Sequence, residues 1–264
     1  MITEGYFLVY NNVIWAVKGC FHPDGYAVAI PRVYKGKKIK RLNDALLLVK
    51  QRFPQLLKYL YEIGFEVPLI PLEESIILDP FDPKRERPEI VKRFLSYFDG
   101  TVGITGSLLY ADKYNDIDFL SFNPAHYYTL MELRRKGITN PLNTSNEEEV
   151  EVLSKEDFET LKRDRVLEGI FNGTPYTFKI VECIDFGVVI GKKEFKGIVT
   201  ITKAKKSYTL PVIYETAQGL TLTSFRTRFT EIKEGTRLYV DGILLERNKF
   251  LDLDLDLAKE VRII

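Results

Sequence analysis

Histidine and cysteine are nearly absent from this 264-residue chain, with two of each. His22 and His126 are too few for a histidine-rich metal site or a histidine-dependent catalytic triad. Cys20 and Cys183 lie far apart and show no C-x-x-C spacing, so the sequence supports neither a disulfide scaffold nor a thiolate zinc site. A charge of one sign is missing as well. The 38 Lys+Arg nearly cancel 37 Asp+Glu, leaving a formal net charge of +1. Whole-chain attraction to a polyanion is thereby excluded, and any nucleic-acid face has to be local. No apolar run approaches the roughly 20 residues of a membrane span. Ala45–Val49 ends at once in Lys50 and Gln51. Glu4 and the Asn11-Asn12 pair break the pattern of a signal peptide. The expectation is a cytoplasmic protein with no membrane partner. Glutamine is also scarce (Gln51, Gln55 and Gln218), and beside abundant Lys, Glu and Ile this fits a heat-adapted, thermophilic source.

What is present is ample material for a core: 45% hydrophobic and 12% aromatic residues. The chain reads as three parts. In residues 1–87, Tyr6–Tyr10 and Val13–Lys18 flank Asn11-Asn12, a pair suited to a hairpin turn, and Tyr26–Tyr34 follows as a strand despite Pro31. A helix capped by Asn43 carries Leu46, Val49 and Phe53 at helical spacing. Pro54 breaks it or starts a second helix, with Leu57 and Leu60-Tyr61 inward and Gly64 at its end. The proline-rich run from Pro68 to Pro88 reads as a linker or wrapping segment. Residues 88–185 alternate helix (Pro88–Tyr97, Pro124–Lys136, Lys155–Val166) with strand (Val102–Thr105, Asp116–Phe122, Tyr176–Cys183), the signature of a mixed sheet. Residues 186–264 hold several short strands without a convincing helix, which suggests a small β-barrel. The fold class expected is therefore α+β.

The stretch from Gly103 to Phe119 concentrates the chemistry. A short strand runs into Gly106-Ser107, where the missing side chain lets backbone N–H groups approach an anion. A helix after that turn would add a dipole favourable to phosphate. Asp116 and Asp118, two apart on a strand, share a face at a Cα spacing of about 7 Å, while Ile117 and Phe119 turn to the core. Two carboxylates aimed at one point repel unless a cation lies between them, and Mg²⁺ takes oxygen ligands together with substrate phosphates.

Gly106-Ser107 followed by Asp116-Ile117-Asp118-Phe119 resembles the signature of the nucleotidyltransferase superfamily typified by DNA polymerase β. The layout is also similar to that of predicted archaeal nucleotidyltransferases, whose N-terminal segment has a Lys-Gly…His-Pro element; here that is Lys18-Gly19-Cys20-Phe21-His22-Pro23. The resemblance implies a nucleotidyltransferase-type sheet in the middle of the chain. It also implies that the Gly106-Ser107 turn holds the triphosphate of an NTP and that Asp116 and Asp118 bind one or two Mg²⁺ ions. A nucleoside monophosphate then passes to an acceptor such as RNA, and pyrophosphate leaves. Two departures stand out. Only eight residues separate Ser107 from Asp116, so the intervening helix must be short. The third carboxylate common in the family has no obvious place: Tyr176–Cys183 carries Lys179 mid-strand, and Glu182 lies on the opposite face of a regular strand. Lys179 is instead a candidate contact for the triphosphate. A catalytically degenerate scaffold that binds nucleic acid or a protein partner is the alternative.

Other features have two readings. The run Lys35-Gly-Lys-Lys-Ile-Lys-Arg41 is a solvated turn or a nucleic-acid contact. From Phe186 to Lys249 there are 12 Lys/Arg against 6 Asp/Glu. Lys192, Lys193, Lys203, Lys205, Lys206, Arg226 and Arg228, interleaved with Tyr208, Tyr214, Phe225 and Phe229, form either a groove for single-stranded nucleic acid or ordinary barrel surface over core. The alternation Leu251 to Leu257 with Asp252, Asp254 and Asp256 reads as an exposed edge strand guarded by charge. His22 reads as a turn or packing residue and His126 as a helix-surface or interface residue.

Overall fold

The computed structural model describes residues 1–142 and 150–264. They form a mixed α+β structure of three sheets and, among the described residues, four α-helices. No described helix is long and apolar enough to cross a membrane.

The first part contributes β1 (Phe7–Tyr10), β2 (Val13–Val17), β3 (Tyr26–Tyr34), β4 (Lys37–Lys38), α1 (Leu42–Arg52), β5 (Leu57–Leu60), β6 (Phe65–Pro71) and β7 (Ile76–Leu78). They make a seven-stranded sheet in the order β5-β6-β3-β2-β1-β7, with β4 on β3. Asn11 and Asn12, at φ 50° and 59°, close the β1–β2 hairpin as their sequence predicts. Helix α1 starts one residue before Asn43, and its N-cap position is Arg41, which makes no side-chain cap. The helix expected after Pro54 is absent. A single 3₁₀ turn, Pro54–Leu56, leads instead into the β5–β6 hairpin around Gly64 at φ +80°. The segment after Pro68 is partly sheet rather than linker, since β6 reaches Pro71 and β7 pairs with β1.

The middle part holds α2 (Glu89–Leu95), β8 (Gly103–Thr105), β9 (Ile117–Ser121), α3 (His126–Arg135), β10 (Thr139–Asn140), α4 (Lys155–Lys162), β11 (Glu168–Phe171) and β12 (Thr174–Ile180). Its sheet runs β10-β11-β12-β9-β8, with β9 and β12 parallel and the other pairs antiparallel. One face packs Ile104, Ile117, Phe119, Phe178 and Ile180 against Phe94 of α2 and Leu130 of α3.

The last part, β13 (Val189–Lys206), β14 (Val212–Thr216), β15 (Thr221–Ser224), β16 (Arg237–Arg247), β17 (Leu251–Asp254) and β18 (Glu260–Ile263), is a barrel. The long β13 pairs with β14 at one end and with β16 along the rest, so the ring β13-β14-β15-β17-β16 closes on itself. Closure overturns the edge-strand reading of β17, which lies between β15 and β16. Asp252 is fully buried, accepting from Thr223 Oγ1 at 2.7 Å and from Arg247 Nε at 2.6 Å. Trp15 and Ile70 of the first sheet share one hydrophobic core with Val199, Val240 and Leu253 of the barrel. The three parts thus build two principal cores.

Cys20 and Cys183 form a disulfide across a sequence separation of 163, contrary to expectation. Spacing along the chain carried no sign of it, because the fold brings the β2–β3 connection beside the segment that leaves β12. Closing so long a loop stabilises by about 2–5 kcal/mol. Reduction, or Cys183→Ala, is expected to lower the melting temperature by roughly 5–10 °C. Differential scanning calorimetry with and without a reductant reads this directly, and an unchanged melting temperature counts against the bond.

Candidate active site

β8 is fully buried and ends in the turn Gly106–Leu109. Gly106 sits at φ +66°, and a Cβ added there would lie 1.8 Å from Asp118 Oδ2. Glycine is therefore fixed twice over, by its backbone conformation and by the carboxylate against it. The element after it is one 3₁₀ turn rather than a helix, with Tyr110 N and Ala111 N donating to Ser107 O at 3.1 and 2.8 Å. The dipole of a full helix is absent, and the local anion-binding capacity is that of the first N–H groups of the turn. Ser107 is buried.

Asp118 is the second residue of β9 and is half-buried, and Asp116 stands exposed immediately before the strand. Ile117 and Phe119 are fully buried on the opposite face, as expected. Burial, and next the charge of Asp116, push the Asp118 carboxyl up to about 6 against the pull of Lys179 and Arg32. The two carboxylates are unfavourable neighbours in a partly dry place, which is what a cation would relieve.

The sheet register shows what flanks them. Thr105 faces Asp118 from β8, Thr177 faces it from β12, and Glu168 faces Thr177 from β11. The row reads Thr105–Asp118–Thr177–Glu168, so the strand next to Asp118 carries a threonine. The nearest further carboxylate in the row is two strands away, about 10 Å between Cα atoms. It is also engaged by the buried Arg165. Glu182 plays no part here; it lies beyond β12 and pairs with Lys206. Lys179 sits opposite Leu120 and forms an ion pair with Glu4 at 3.5 Å. Glu4 also accepts from Lys18 Nζ at 3.2 Å and Gly19 N at 3.3 Å. Burial opposes the Glu4 charge, but Lys18 and Lys179 outweigh it and hold the carboxyl below its usual range. Lys179 is thereby held in place beside Asp118.

Arg32 is a neighbour of Asp118 that sequence reasoning alone does not single out. Val33 and Pro31 pair with the consecutive residues Ile14 and Trp15, leaving Arg32 as the extra residue of a β-bulge. Bulges re-aim side chains and concentrate next to active sites. Here the guanidinium donates to Ile39 O at 3.0 Å and lies close enough for its charge to act on Asp118 and Tyr110. The signal was Pro31, since a proline inside a strand marks an edge or a bulge.

Of the two readings of the basic residues on the barrel, their pairing favours ordinary barrel surface over a groove. Lys193 pairs with Glu246, Lys205 with Glu215 and Lys206 with Glu182, while Arg226 and Arg228 converge on Glu151. Lys192 lies over the Phe65 ring at 4.2 Å. Nor do the aromatic residues offer free faces: Tyr214 and Phe229 are fully buried, and Tyr208 stacks on Tyr127 at 4.0 Å. Glu151 and Glu182 lie outside the Phe186–Lys249 stretch, so part of its excess of cations is balanced from elsewhere in the fold, which a count over that stretch misses. His126 is buried rather than on the helix surface, with Ser121 Oγ and Asp99 O each 2.7 Å from its ring nitrogens. His22 packs in a turn, accepting from Val28 N at 3.2 Å.

Neither a protein-family model, nor a curated protein, nor a solved structure matches this chain.

Proposed function

We propose that the chain is a Mg²⁺-dependent nucleotidyltransferase. The reading rests above all on the packing of the Gly106 turn directly against Asp118, with the charge of Asp116, two residues before it, acting on that carboxylate. It is supported by the strand order β8-β9-β12, in which β9 and β12 run parallel behind that turn.

Two carboxylates near enough to interact, one driven up to about 6, fit a hard divalent ion that completes its shell with water and substrate phosphate. No group of three or more metal-ligating side chains occurs among the described residues, so the donor set suits one Mg²⁺ rather than two. Bound between Asp116 and Asp118, the ion would supply charge stabilisation to the phosphoryl oxygens. In this reading the N–H groups of the Gly106-Ser107 turn hold the triphosphate, and the cations of Lys179 and Arg32 orient it. The acceptor hydroxyl oxygen bonds the α-phosphorus, pyrophosphate leaves with the bonding electron pair, and the hydroxyl proton passes to water.

A second reading has one specific observation in its favour. Thr177 occupies the position beside Asp118 on the neighbouring strand, and the carboxylate of Glu168 is tied to Arg165. A scaffold that binds NTP without turning it over would have this arrangement. Incubation with each of the four α-labelled NTPs, Mg²⁺ and a mixture of RNA and proteins separates the two. Covalent transfer of label from at least one NTP is expected. Label that binds without covalent transfer establishes the second reading and removes the first.

A further inference from the structure

Exposed positive charge gathers on the β3–β4 hairpin, away from the barrel. The β3–β4 hairpin and the start of α1 enclose an open cleft of about 670 Å³. Lys35, Lys37, Lys38 and Arg41 line it, all are exposed, and none forms an ion pair with a described residue. The hairpin tip places Lys35 itself at φ 49°, a left-handed position that glycine or asparagine fills at less cost. The neighbouring Gly36 at φ 74° completes a two-residue turn that directs the lysines outward. Asp44 is the one acid among the described residues of the lining.

Arg32 links the lining of the cleft to the candidate active site. Ile39, which lines the cleft, accepts from Arg32, and the charge of Arg32 acts on Asp118. A chain of phosphates lying along the hairpin would be neutralised by these four cations and led by Arg32 towards the carboxylate pair. From this charge arrangement we infer that the cleft binds the phosphodiester backbone of a single-stranded nucleic acid and presents its end to Asp116 and Asp118 as the acceptor. The acceptor role rests on the nucleotidyltransferase reading; the binding does not. It takes the nucleic-acid alternative for the Lys35–Arg41 run rather than the one for the barrel.

The test is fluorescence anisotropy with a 5′-labelled oligoadenylate RNA, without NTP or divalent metal. Four phosphate contacts on a single strand give a slope of log K on log[salt] near −3, or a loss of about 50-fold between 50 and 200 mM salt. The double variant Lys37→Ala/Lys38→Ala is expected to halve that slope, and Lys193→Ala/Lys205→Ala on the barrel to leave it unchanged. An unchanged slope in the hairpin variant, or an equal loss in the barrel variant, overturns the inference. So does sedimentation with phosphatidylserine vesicles by a protein that leaves the RNA unbound. Salt-sensitive hairpin binding without label transfer would sink the enzymatic reading alone; transfer to an acceptor without hairpin binding would sink the cleft alone.

Discussion

Asp118→Asn is expected to abolish NTP transfer, by about 10³-fold or more, while raising the melting temperature by a few degrees. The loss follows from removing one of two ligands to the charge that stabilises the phosphoryl oxygens, an interaction worth several kcal/mol at 1.36 kcal/mol per tenfold in rate. The gain follows from the carboxylate's surroundings. Burial and Asp116 push its titration up from the ordinary 3.8 to about 6. Between those values the folded chain holds the proton more tightly than the unfolded chain does. Stability therefore falls as pH rises through this window and stays lower above it. An amide of the same shape removes that cost. Asp116→Asn, at an exposed position, is expected to lose transfer to the same degree and to gain less stability. Wild type and both variants, followed by thermal denaturation at pH 4, 6 and 8 beside the transfer assay, show whether loss of activity and gain of stability coincide. A destabilised Asp118→Asn would place the residue in the structural frame instead.

Arg247→Ala is expected to cost about 3–5 kcal/mol, or roughly 10 °C in melting temperature. The guanidinium and its partner Asp252 are almost completely removed from solvent, at 5% and 0% side-chain exposure. Arg247 also donates to Glu62 O at 2.7 Å and Gly187 O at 3.2 Å, which ties the barrel to the first sheet. Truncation leaves a buried carboxylate facing Asp254 and Asp256 without its counter-charge. Adding Asp252→Asn to the variant removes the stranded charge and is expected to recover part of the loss. Urea denaturation of the two variants measures both effects, and a loss below about 1 kcal/mol would show that the pair carries no such role.

The Leu-Asp alternation also marks where sequence reading met its limit. Its period of two gives a strand over Leu251–Asp254 only, since Leu255–Leu257 turns into a 3₁₀ helix, and whether that strand lies at an edge depends on β13 pairing with both β14 and β16. Ring closure is a long-range property with no local signal. The same holds for Cys20 with Cys183, and for Glu151, which gathers Arg226 and Arg228 from far along the chain. Local chemistry was legible. Asn11-Asn12 turned the first hairpin, Tyr26–Tyr34 formed a strand with those bounds, and Ile117 and Phe119 entered the core opposite Asp118. Leu57–Leu60 failed as a helix because four residues hold too little periodicity to separate the two states, and the partner strand decided it. Gly106, Asp116 and Asp118 were found together. Lys179 proved to be beside Asp118, but only the structure showed Glu4 holding it there and Arg32 entering from another sheet.

The most direct test of the account is a titration of Mn²⁺, followed by its electron paramagnetic resonance signal, into wild type and Asp118→Asn with and without a non-hydrolysable NTP analogue. One Mn²⁺ per wild-type chain is expected, tightened by the analogue, and no such ion in Asp118→Asn. Equal binding by both proteins, or none to wild type in the presence of the analogue, would contradict it.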